Sequence, residues 1–310
     1  QKTAENLLTF GCFSCIIKRE YGEQTPRKWE RNGIEQIMKF RKLLAAGLAV
    51  CSLLTFAACK TGNSSTNLDD YRREDEVGLT SYTTENGGTL SFESIDSDSV
   101  RITAYTGPEQ PHEVVIPATV PTSQDGSTTK KVTRIDSMAF YSLSNVKSVK
   151  LPEGLEEIGQ LAFAKCVQLE TVAFPSTLTK LEVGAFQGCA ALTSVDSLAD
   201  TQVVEIPDWC FWGCESLTKL TIPARVKTLG IAAFFDCTGL TEVTLSEGVE
   251  TLGMQCFMNA SSLETLVLPS TLTNTDPKAD LAFYGADKLV AENIQASGAA
   301  AEYAKKLLAE

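Results

Sequence analysis

Cysteine is the residue type whose spacing in this chain could support chemistry. Four cysteines stand three residues after a recurring phenylalanine, and such a column could hold a metal ion or a series of disulfides. Zinc needs four ligands that converge on one point, which a straight column does not provide. Leu143, Ala260 and Ala286 replace cysteine in other copies, so we expect packing residues and predict no metal site, while disulfides between neighbouring copies stay an alternative. The four cysteines are Cys166, Cys189, Cys214 and Cys237.

Catalytic groups of other kinds are sparse. The single histidine, His112, lies between Pro111 and Glu113, with no nucleophile at a recognisable spacing. The glycines recur with the repeating pattern and form no phosphate-binding loop. Acidic pairs such as Glu156-Glu157 can act as general acids, but an acidic chain contains such pairs by composition alone. We therefore predict a protein without enzymatic activity, catalytic residues or a cofactor.

The phenylalanines that precede the cysteines define an array of repeats. An aliphatic residue follows each of them six positions later, and further apolar residues often follow at nine and eleven positions, which gives the pattern L-x-x-V-x-L. A period near 23 residues is typical of a solenoid. The last two apolar side chains point inward from a short strand that proline often ends. The repeated phenylalanines are Phe140, Phe163, Phe186, Phe211, Phe234, Phe257 and Phe283.

No single coil can bury its apolar face, so neighbouring coils must stack to make a continuous core. The predicted fold is a mixed repeat solenoid that is poor in regular α and β structure. It is a leucine-rich-repeat right-handed superhelix of about seven 23-residue coils, each with one short strand. The third repeat is an exception, because Ser197 takes the place of an apolar strand residue.

The repeats resemble a known family. The segment from Ile158 to Pro175, IGQLAFAKCVQLETVAFP, is similar to the BspA-like leucine-rich repeat of surface proteins from Bacteroides-type bacteria. The resemblance covers about half of the chain. It implies adhesion and the binding of host proteins, and many members of the family have no assigned ligand.

The N-terminal part resembles an export signal. Residues 1–37 have no repeat character, and we interpret them as an upstream extension that is absent from the mature protein. From Met38 a basic start leads into an apolar run, so residues 38–58 are predicted to be a signal peptide. Its end, Phe56-Ala-Ala-Cys59, resembles a bacterial lipobox. This implies that Cys59 is lipidated and holds the chain in the cell envelope, at the outer membrane, on its surface-exposed or periplasmic face.

Charge excludes one class of partner. Residues 1–58 carry nine of the 27 basic and five of the 39 acidic residues, which leaves 18 basic and 34 acidic residues and a net charge of −16 in the mature chain. Such a chain repels nucleic acid and anionic lipid surfaces. Membrane attachment must therefore come from the N-terminal lipid.

Composition divides the rest of the chain. Residues 59–88, rich in Ser, Thr, Asn, Gly and charge, are predicted to be a flexible tether. Strand-like pieces between turns in residues 89–134 predict an N-terminal cap of degenerate repeats, since a terminal coil must cover the open core. Residues 135–293 are the leucine-rich repeats, and residues 294–310, with many helix-forming residues, are the predicted C-terminal capping helix.

Two surfaces are candidates for a partner. The position after each phenylalanine varies, so we expect it to face outward or lie at the rim; three consecutive coils carry an apolar side chain there, and a second tryptophan lies nearby. Exposed aromatic patches often mark binding sites, although these side chains could instead pack on one another or under the longer, 25-residue coil that precedes Trp209. The candidates are Trp209, Trp212, Phe235 and Met258.

The second candidate surface is the outward face of the strands, which is polar and short of aromatic residues. Hydroxyl groups there could bind a partner, but hydroxyl-rich strands are also usual in a solvated sheet. The candidates are Lys219, Glu242, Thr171, Thr218 and Thr241.

The sequence thus predicts a non-enzymatic cell-envelope lipoprotein that binds a host or extracellular-matrix protein or a glycan. One alternative is a structural envelope component without a dedicated ligand. The other is a hydrolase with an unrecognised site. A ligand-binding protein would show saturable binding that depends on the aromatic column, whereas a hydrolase would turn over an ester, peptide or glycoside.

Overall fold

Stacked coils form the folded part of the chain, which a computed structural model describes for residues 79–273 and 281–307. The predicted repeat solenoid is confirmed: apolar residues of successive coils make one continuous core. The predicted upstream extension, the signal peptide, Cys59 and residues 59–78 of the tether lie outside the described residues. Within those residues, no helix has the length and apolar character needed to cross a bilayer.

The chain enters the stack through short strands on its N-terminal side. β1 pairs antiparallel with β2, and β2 with β3, whereas β3 pairs parallel with β6 and so begins the coil-to-coil ladder. The predicted tether ran to residue 88, but Ser81–Thr83 already forms β1, closed by a turn with Gly87 at a φ of 80°. The strands are β1 (Ser81–Thr83), β2 (Thr89–Ser94), β3 (Ser99–Thr106), β4 (His112–Val115), β5 (Thr119–Pro121) and β6 (Thr129–Ile135).

Most coils hold two strands rather than the single strand that was predicted. The longer one follows the L-x-x-V-x-L pattern, and a two-residue strand lies between it and the next phenylalanine. The longer strands are β7 (Val146–Lys150), β9 (Thr171–Ala173), β12 (Lys219–Ile222), β14 (Glu242–Leu245) and β16 (Thr265–Leu268). The shorter ones are β8 (Glu157–Ile158), β10 (Lys180–Leu181), β11 (Glu205–Ile206), β13 (Thr228–Leu229) and β15 (Thr251–Leu252).

The C-terminal end differs from the predicted capping helix of residues 294–310. After a 3₁₀ helix at Ala291–Asn293, β17 (Ile294–Ala296) pairs parallel with β16 and so continues the stack. Helix α1 (Ala299–Leu307) follows and buries Tyr303 against the core. The end of the solenoid is therefore covered by a strand and a helix together.

The repeated phenylalanines form a single column of stacked rings. Each of the first six is fully buried, and neighbouring ring centroids lie 4.7–5.6 Å apart. This distance matches the separation of paired strands, about 4.8 Å, so one ring per coil fills the core without a gap. Tyr105 of the cap stacks on Phe140 at 5.4 Å and extends the column by one ring.

A second ladder runs beside this column. The residues two before and two after the phenylalanine adopt a left-handed conformation in most coils, which costs about 1–3 kcal/mol for a residue other than glycine. Their N–H groups and that of the phenylalanine donate to carbonyls of the next coil, as Leu161, Phe163 and Lys165 do at 2.6–3.0 Å. These bonds offset the backbone strain. The non-glycine residues with positive φ are Met138, Ser142, Leu161, Lys165, Trp209, Ala232, Asp236, Gln255 and Asn259.

Both strand ladders break at one place, between the coils of Phe186 and Phe211, which we call the central junction. The longer strands form the separate sheets β4-β7-β9 and β12-β14-β16-β17, and the shorter ones divide between β10 and β11. A 3₁₀ helix, Asp196–Asp200, replaces the longer strand. There the Ser197 hydroxyl accepts the N–H of Phe174 at 3.0 Å and so replaces a backbone partner.

The shorter ladder breaks at the central junction because of a proline. Glu182 and Gly230, each four residues before a repeat phenylalanine, donate their N–H to the preceding coil at 2.9 and 2.7 Å. Pro207 stands at the equivalent position and has no N–H to donate. The phenylalanine column and the left-handed ladder continue across the junction.

Candidate functional site

The cysteine column is buried and reduced. Cys166, Cys189, Cys214 and Cys237 are free, and each thiol donates to the carbonyl of the repeat phenylalanine in the preceding coil, at 3.1–3.4 Å. Burial raises the pKa of Cys166 to about 12 and the pKa of Cys214 far above its usual value. The reactive form of cysteine, as nucleophile or metal ligand, is the thiolate. Since the raised pKa keeps these thiols protonated, they act as packing groups that join neighbouring coils.

Metal ligands do not gather elsewhere in the described residues, where no group of three or more His, Cys, Asp or Glu side chains could hold an ion. His112 supports the cap instead. Its Nδ1 faces the carbonyl of Gln110 at 2.9 Å and therefore carries a proton, so Nε2 accepts from the hydroxyl of Tyr105 at 2.8 Å when the ring is neutral. This bond fixes the ring that ends the aromatic column.

The polar strand face brings four of its five predicted residues together. Lys219 and Glu242 are register partners on β12 and β14, with Nζ and a carboxylate oxygen 3.0 Å apart. The hydroxyl of Thr241 donates to the carbonyl of Thr218 at 3.0 Å. Thr171 lies on β9, in the sheet on the other side of the central junction. Lys219, Glu242 and Thr241 thus bond to neighbouring coils, as in a solvated sheet.

The aromatic candidates lie on consecutive coils but differ in exposure. Phe235 and Met258 are each only 7% exposed, so the expectation that they face outward is wrong for these two. Trp212 is half-buried and meets the ring of Phe235 edge-on, with centroids 5.5 Å apart. Phe235 and Met258 are therefore covered, whereas Trp212, the first of the three apolar residues along the chain, stays partly exposed.

Trp209 and Trp212 share one turn. The N–H of Trp212 donates to the carbonyl of Trp209 at 3.2 Å, and both side chains are half-buried. Trp209 has a left-handed backbone with a φ of 57°, at the position that Gly184 takes one coil earlier. Its N–H donates to the carbonyl of Ile231 at 2.9 Å, which holds the turn in place. Two large aromatic side chains are therefore presented by a backbone that both neighbouring coils fix.

Backbone without side chains adjoins this turn. Gly188 and Gly213 lie in neighbouring coils, two residues after the repeat phenylalanine, and a Cβ at either would meet no atom closer than 3.7 Å. The N–H of Gly188 donates to the carbonyl of Trp212 at 2.6 Å. We call the surface of Trp209, Trp212, Gly188 and Gly213 the tryptophan face. It joins the two tryptophans to two half-buried glycines at the central junction, and the side chain of Lys165 lies next to Gly188.

Charged side chains elsewhere pair from coil to coil. Arg134 reaches Glu157 at 3.0 Å and Glu182 at 3.8 Å, while Lys180 contacts the same two carboxylates at 2.8 and 2.9 Å. Burial acts to raise the pKa of Glu182, but hydrogen bonds from Lys180 and from the N–H of Gln160 outweigh it and hold that pKa below its ordinary value of 4.5. This network ties the cap to the first coils.

Comparison with solved structures shows similar bacterial proteins. A leucine-rich cell surface protein from Faecalibacterium prausnitzii is 29% identical over 66% of this chain and 53% of its own, with a TM-score of 0.53. The chain thus spans about half of that protein. A leucine-rich repeat protein from T. pallidum is 25% identical over 56% of this chain and 87% of its own, with a TM-score of 0.41. A third, from Bacteroides capillosus, is 23% identical over 54% and 99%, with a TM-score of 0.35.

Sequence families give the same assignment. No curated protein sequence matches the chain. The model of the BspA type leucine-rich repeat region matches six copies, in residues 124–203 and 204–297, which together exceed half of the chain. The chain therefore belongs to the BspA-type leucine-rich repeat family.

Proposed function

We propose that this protein is a non-enzymatic component of the bacterial cell envelope that binds a protein or glycan partner through its tryptophan face. The observation that carries the proposal is the pair of half-buried tryptophans in one fixed turn, beside two glycines of neighbouring coils. Trp is enriched where interface energy concentrates, and a pre-organised turn lowers the entropic cost of binding. Similarity to a cell surface protein supports the location.

The strand face is the weaker candidate surface. Its charges already form pairs such as Lys219–Glu242. Its other candidate residues, Thr171, Thr218 and Thr241, are small and offer no aromatic ring to a partner. A partner there would have to displace these pairs, each of which is worth no more than about 1 kcal/mol to the fold. Such a face supports a structural envelope role as well as a binding role.

Binding to an array of extracellular-matrix proteins and glycans tests the proposal. Truncation of a buried interface Trp costs about 2 kcal/mol or more, so Trp212→Ala should weaken the best partner roughly thirtyfold. Lys219→Ala, a truncation on the strand face, is the matched control and should leave the affinity within about twofold. A partner that is sensitive to Lys219→Ala and indifferent to Trp212→Ala would place the site on the strands. Turnover of an ester, peptide or glycoside panel would support the hydrolase instead.

The anchor is a separate part of the proposal. Residues 38–58 would direct export, and Cys59 would carry the lipid that holds the chain at the outer membrane. Several acyl chains on one residue hold stably, whereas one chain does not. Cys59→Ser should therefore release the protein from membranes and change the mass of the mature N-terminus. Membrane retention and an unchanged mass in Cys59→Ser would exclude lipidation.

A further inference from the structure

We propose that the partner of the tryptophan face is a cationic protein segment, rich in lysine or arginine. This inference rests on the proposed function and names the chemistry of its ligand. It commits to a basic polypeptide because the chain between Lys180 and Lys219, which carries both tryptophans, is acidic and contains no basic residue.

The coils that flank the central junction contain no basic residue over a long stretch. Between Lys180 and Lys219 the sequence has six Asp or Glu and no Lys, Arg or His. One of the six, Glu182, pairs with Lys180. Within the residues that the structure describes, the other five form no ion pair; they are Asp196, Asp200, Glu205, Asp208 and Glu215.

Several carboxylates of other coils are paired with lysines one coil away. Oppositely charged side chains face each other across neighbouring strands or turns at 3.0–3.8 Å, which neutralises the surface locally. The pairs are Lys150–Glu113, Lys147–Glu170, Lys219–Glu242, Lys227–Glu250 and Lys288–Glu264. The stretch between Lys180 and Lys219, which carries Trp209 and Trp212, differs from these coils because it has no basic residue of its own.

Two of the unpaired carboxylates bracket the tryptophan turn. Glu205, on β11, comes four residues before Trp209, and Glu215 comes three residues after Trp212; both are exposed. Asp208 is engaged, because its carboxylate accepts the N–H of Ile231 at 2.6 Å. Along the chain, exposed carboxylates therefore stand before and after the two tryptophans, and a cationic segment that follows this coil would pass both.

The solenoid itself contains the kind of contact that is proposed. Lys165 lies in the column two residues after the phenylalanine, and its Nζ is 5.5 Å from the ring centre of Tyr141 in the preceding coil. The equivalent position next to Trp212 is held by Asp236, whose carboxylate accepts from Asn259 at 2.7 Å. An ammonium or guanidinium group from a partner would there find both a ring face and a carboxylate, which favour a cation together.

A peptide that alternates lysine with glycine, its arginine counterpart and its glutamate counterpart provide the probes, measured on the full chain by fluorescence anisotropy. The two cationic peptides should bind saturably and the glutamate peptide should not. Trp212→Ala should weaken binding roughly thirtyfold, and the double variant Glu205→Gln/Glu215→Gln about fivefold. The matched control Glu170→Gln/Glu242→Gln makes the same change in net charge at paired carboxylates and should change affinity less than about twofold.

Gly188→Lys tests the site without removing an aromatic residue. Lys165 adopts a φ of 62° at the same position two residues after its phenylalanine, so lysine can take up this backbone conformation, at a cost in backbone strain. The new cation lies beside Lys165 and should weaken the cationic peptides about tenfold by repulsion.

Three results would overturn the inference. If the two double-glutamine variants lost the same affinity, the peptides would be attracted by the overall negative charge of the chain and not by this site. Full affinity in Gly188→Lys would place the peptide elsewhere. A neutral glycan that binds in a manner dependent on Trp212, with no binding of the cationic peptides, would replace the partner class while leaving the proposed function intact.

Discussion

The repeat phenylalanines carry more of the stability than the cysteines beside them. Phe186 is fully buried between Phe163 and Phe211, with ring centroids at 5.2 and 5.6 Å, and meets Phe174 edge-on. Cys189 is equally buried but contributes one thiol hydrogen bond, to the carbonyl of Phe163 at 3.2 Å. The two residues are equally buried, but the larger side chain and the ring contacts of Phe186 should make its contribution to stability greater.

Phe186→Ala should lower the free energy of unfolding by about 3–5 kcal/mol, because it loses transfer energy and leaves a cavity. Cys189→Ala in the same coil should cost only about 1 kcal/mol, the usual worth of a single hydrogen bond. Urea denaturation followed by circular dichroism measures both. Equal, large losses would show that the cysteine has a role beyond packing.

Neighbouring coils are also joined by a repeated polar motif. The hydroxyl of Thr271 accepts the N–H of Gly248 at 2.9 Å and donates to the carbonyl of Val249 at 2.8 Å. The same two bonds join Thr177 to Gly154 and Leu155, at 2.9 and 2.8 Å. A single hydroxyl thus satisfies one donor and one acceptor of the preceding coil.

Thr271→Val keeps the shape of the side chain but leaves both backbone groups without this partner, so it should destabilise the protein by about 1–3 kcal/mol. Thr221→Val is the control, since Thr221 points outward from β12 and is exposed; it should stay within about 0.5 kcal/mol. Thermal unfolding monitored by circular dichroism compares the two. A loss in Thr221→Val as large as that in Thr271→Val would mean that valine itself, rather than the lost bonds, is unfavourable.

The ion-pair network between cap and coils should make stability depend on acid. The pKa of Glu182 lies below 4.5 in the folded state, so the unfolded chain takes up a proton first as the pH falls. The contribution of Glu182 is complete above pH 4.5 and is lost as the pH falls through the lower folded value.

The melting temperature of the wild-type protein should therefore stay level from neutral pH to about 5 and fall below 4.5. Glu182→Gln should have a lower melting temperature at neutral pH and a smaller fall in acid. Calorimetry across this range provides the measurement. A variant that loses as much stability in acid as the wild type would show that Glu182 is not one of the groups that titrate.

The column of phenylalanines could be predicted because each repeat has a phenylalanine at nearly the same spacing. The second strands could not, since two residues such as Thr228 and Leu229 form a strand only when a partner coil lies alongside. β1 was assigned to the tether because its sequence, Ser-Tyr-Thr, has no apolar alternation. The local sequence pattern therefore predicts which residues a coil buries, but not every strand pair that forms when coils stack.

The candidate surface was predicted in part. Trp209 and Trp212 stand out by type. Variability alone does not predict exposure, however, because side chains as large as Phe235 and Met258 cover each other when coils stack at about 4.8 Å. The sequence shows that Ser197 departs from the repeat pattern. It does not show that the Ser197 hydroxyl replaces a backbone hydrogen-bond partner. Pro207 becomes informative only when it is aligned with Glu182 and Gly230, whose N–H groups bridge coils.

At the scale of the whole molecule, the solenoid is divided at the central junction and joined by its core. The strand ladders stop there, whereas the aromatic column and the left-handed ladder continue. The tryptophan face lies at this place, with unbalanced negative charge around it. The break in the repeat and the proposed binding surface therefore lie in the same coils.

Tryptophan fluorescence tests the central claim, that a partner binds at the tryptophan face. The full chain has three tryptophans, one of them in the predicted upstream extension, so Trp29→Phe in the full chain leaves only Trp209 and Trp212 as reporters. Acrylamide quenching of these two should fall saturably as a partner is added, with the same midpoint as binding measured by calorimetry, because the bound segment covers the rings. Calorimetric binding with no change in quenching would place the partner elsewhere on the solenoid and contradict the account.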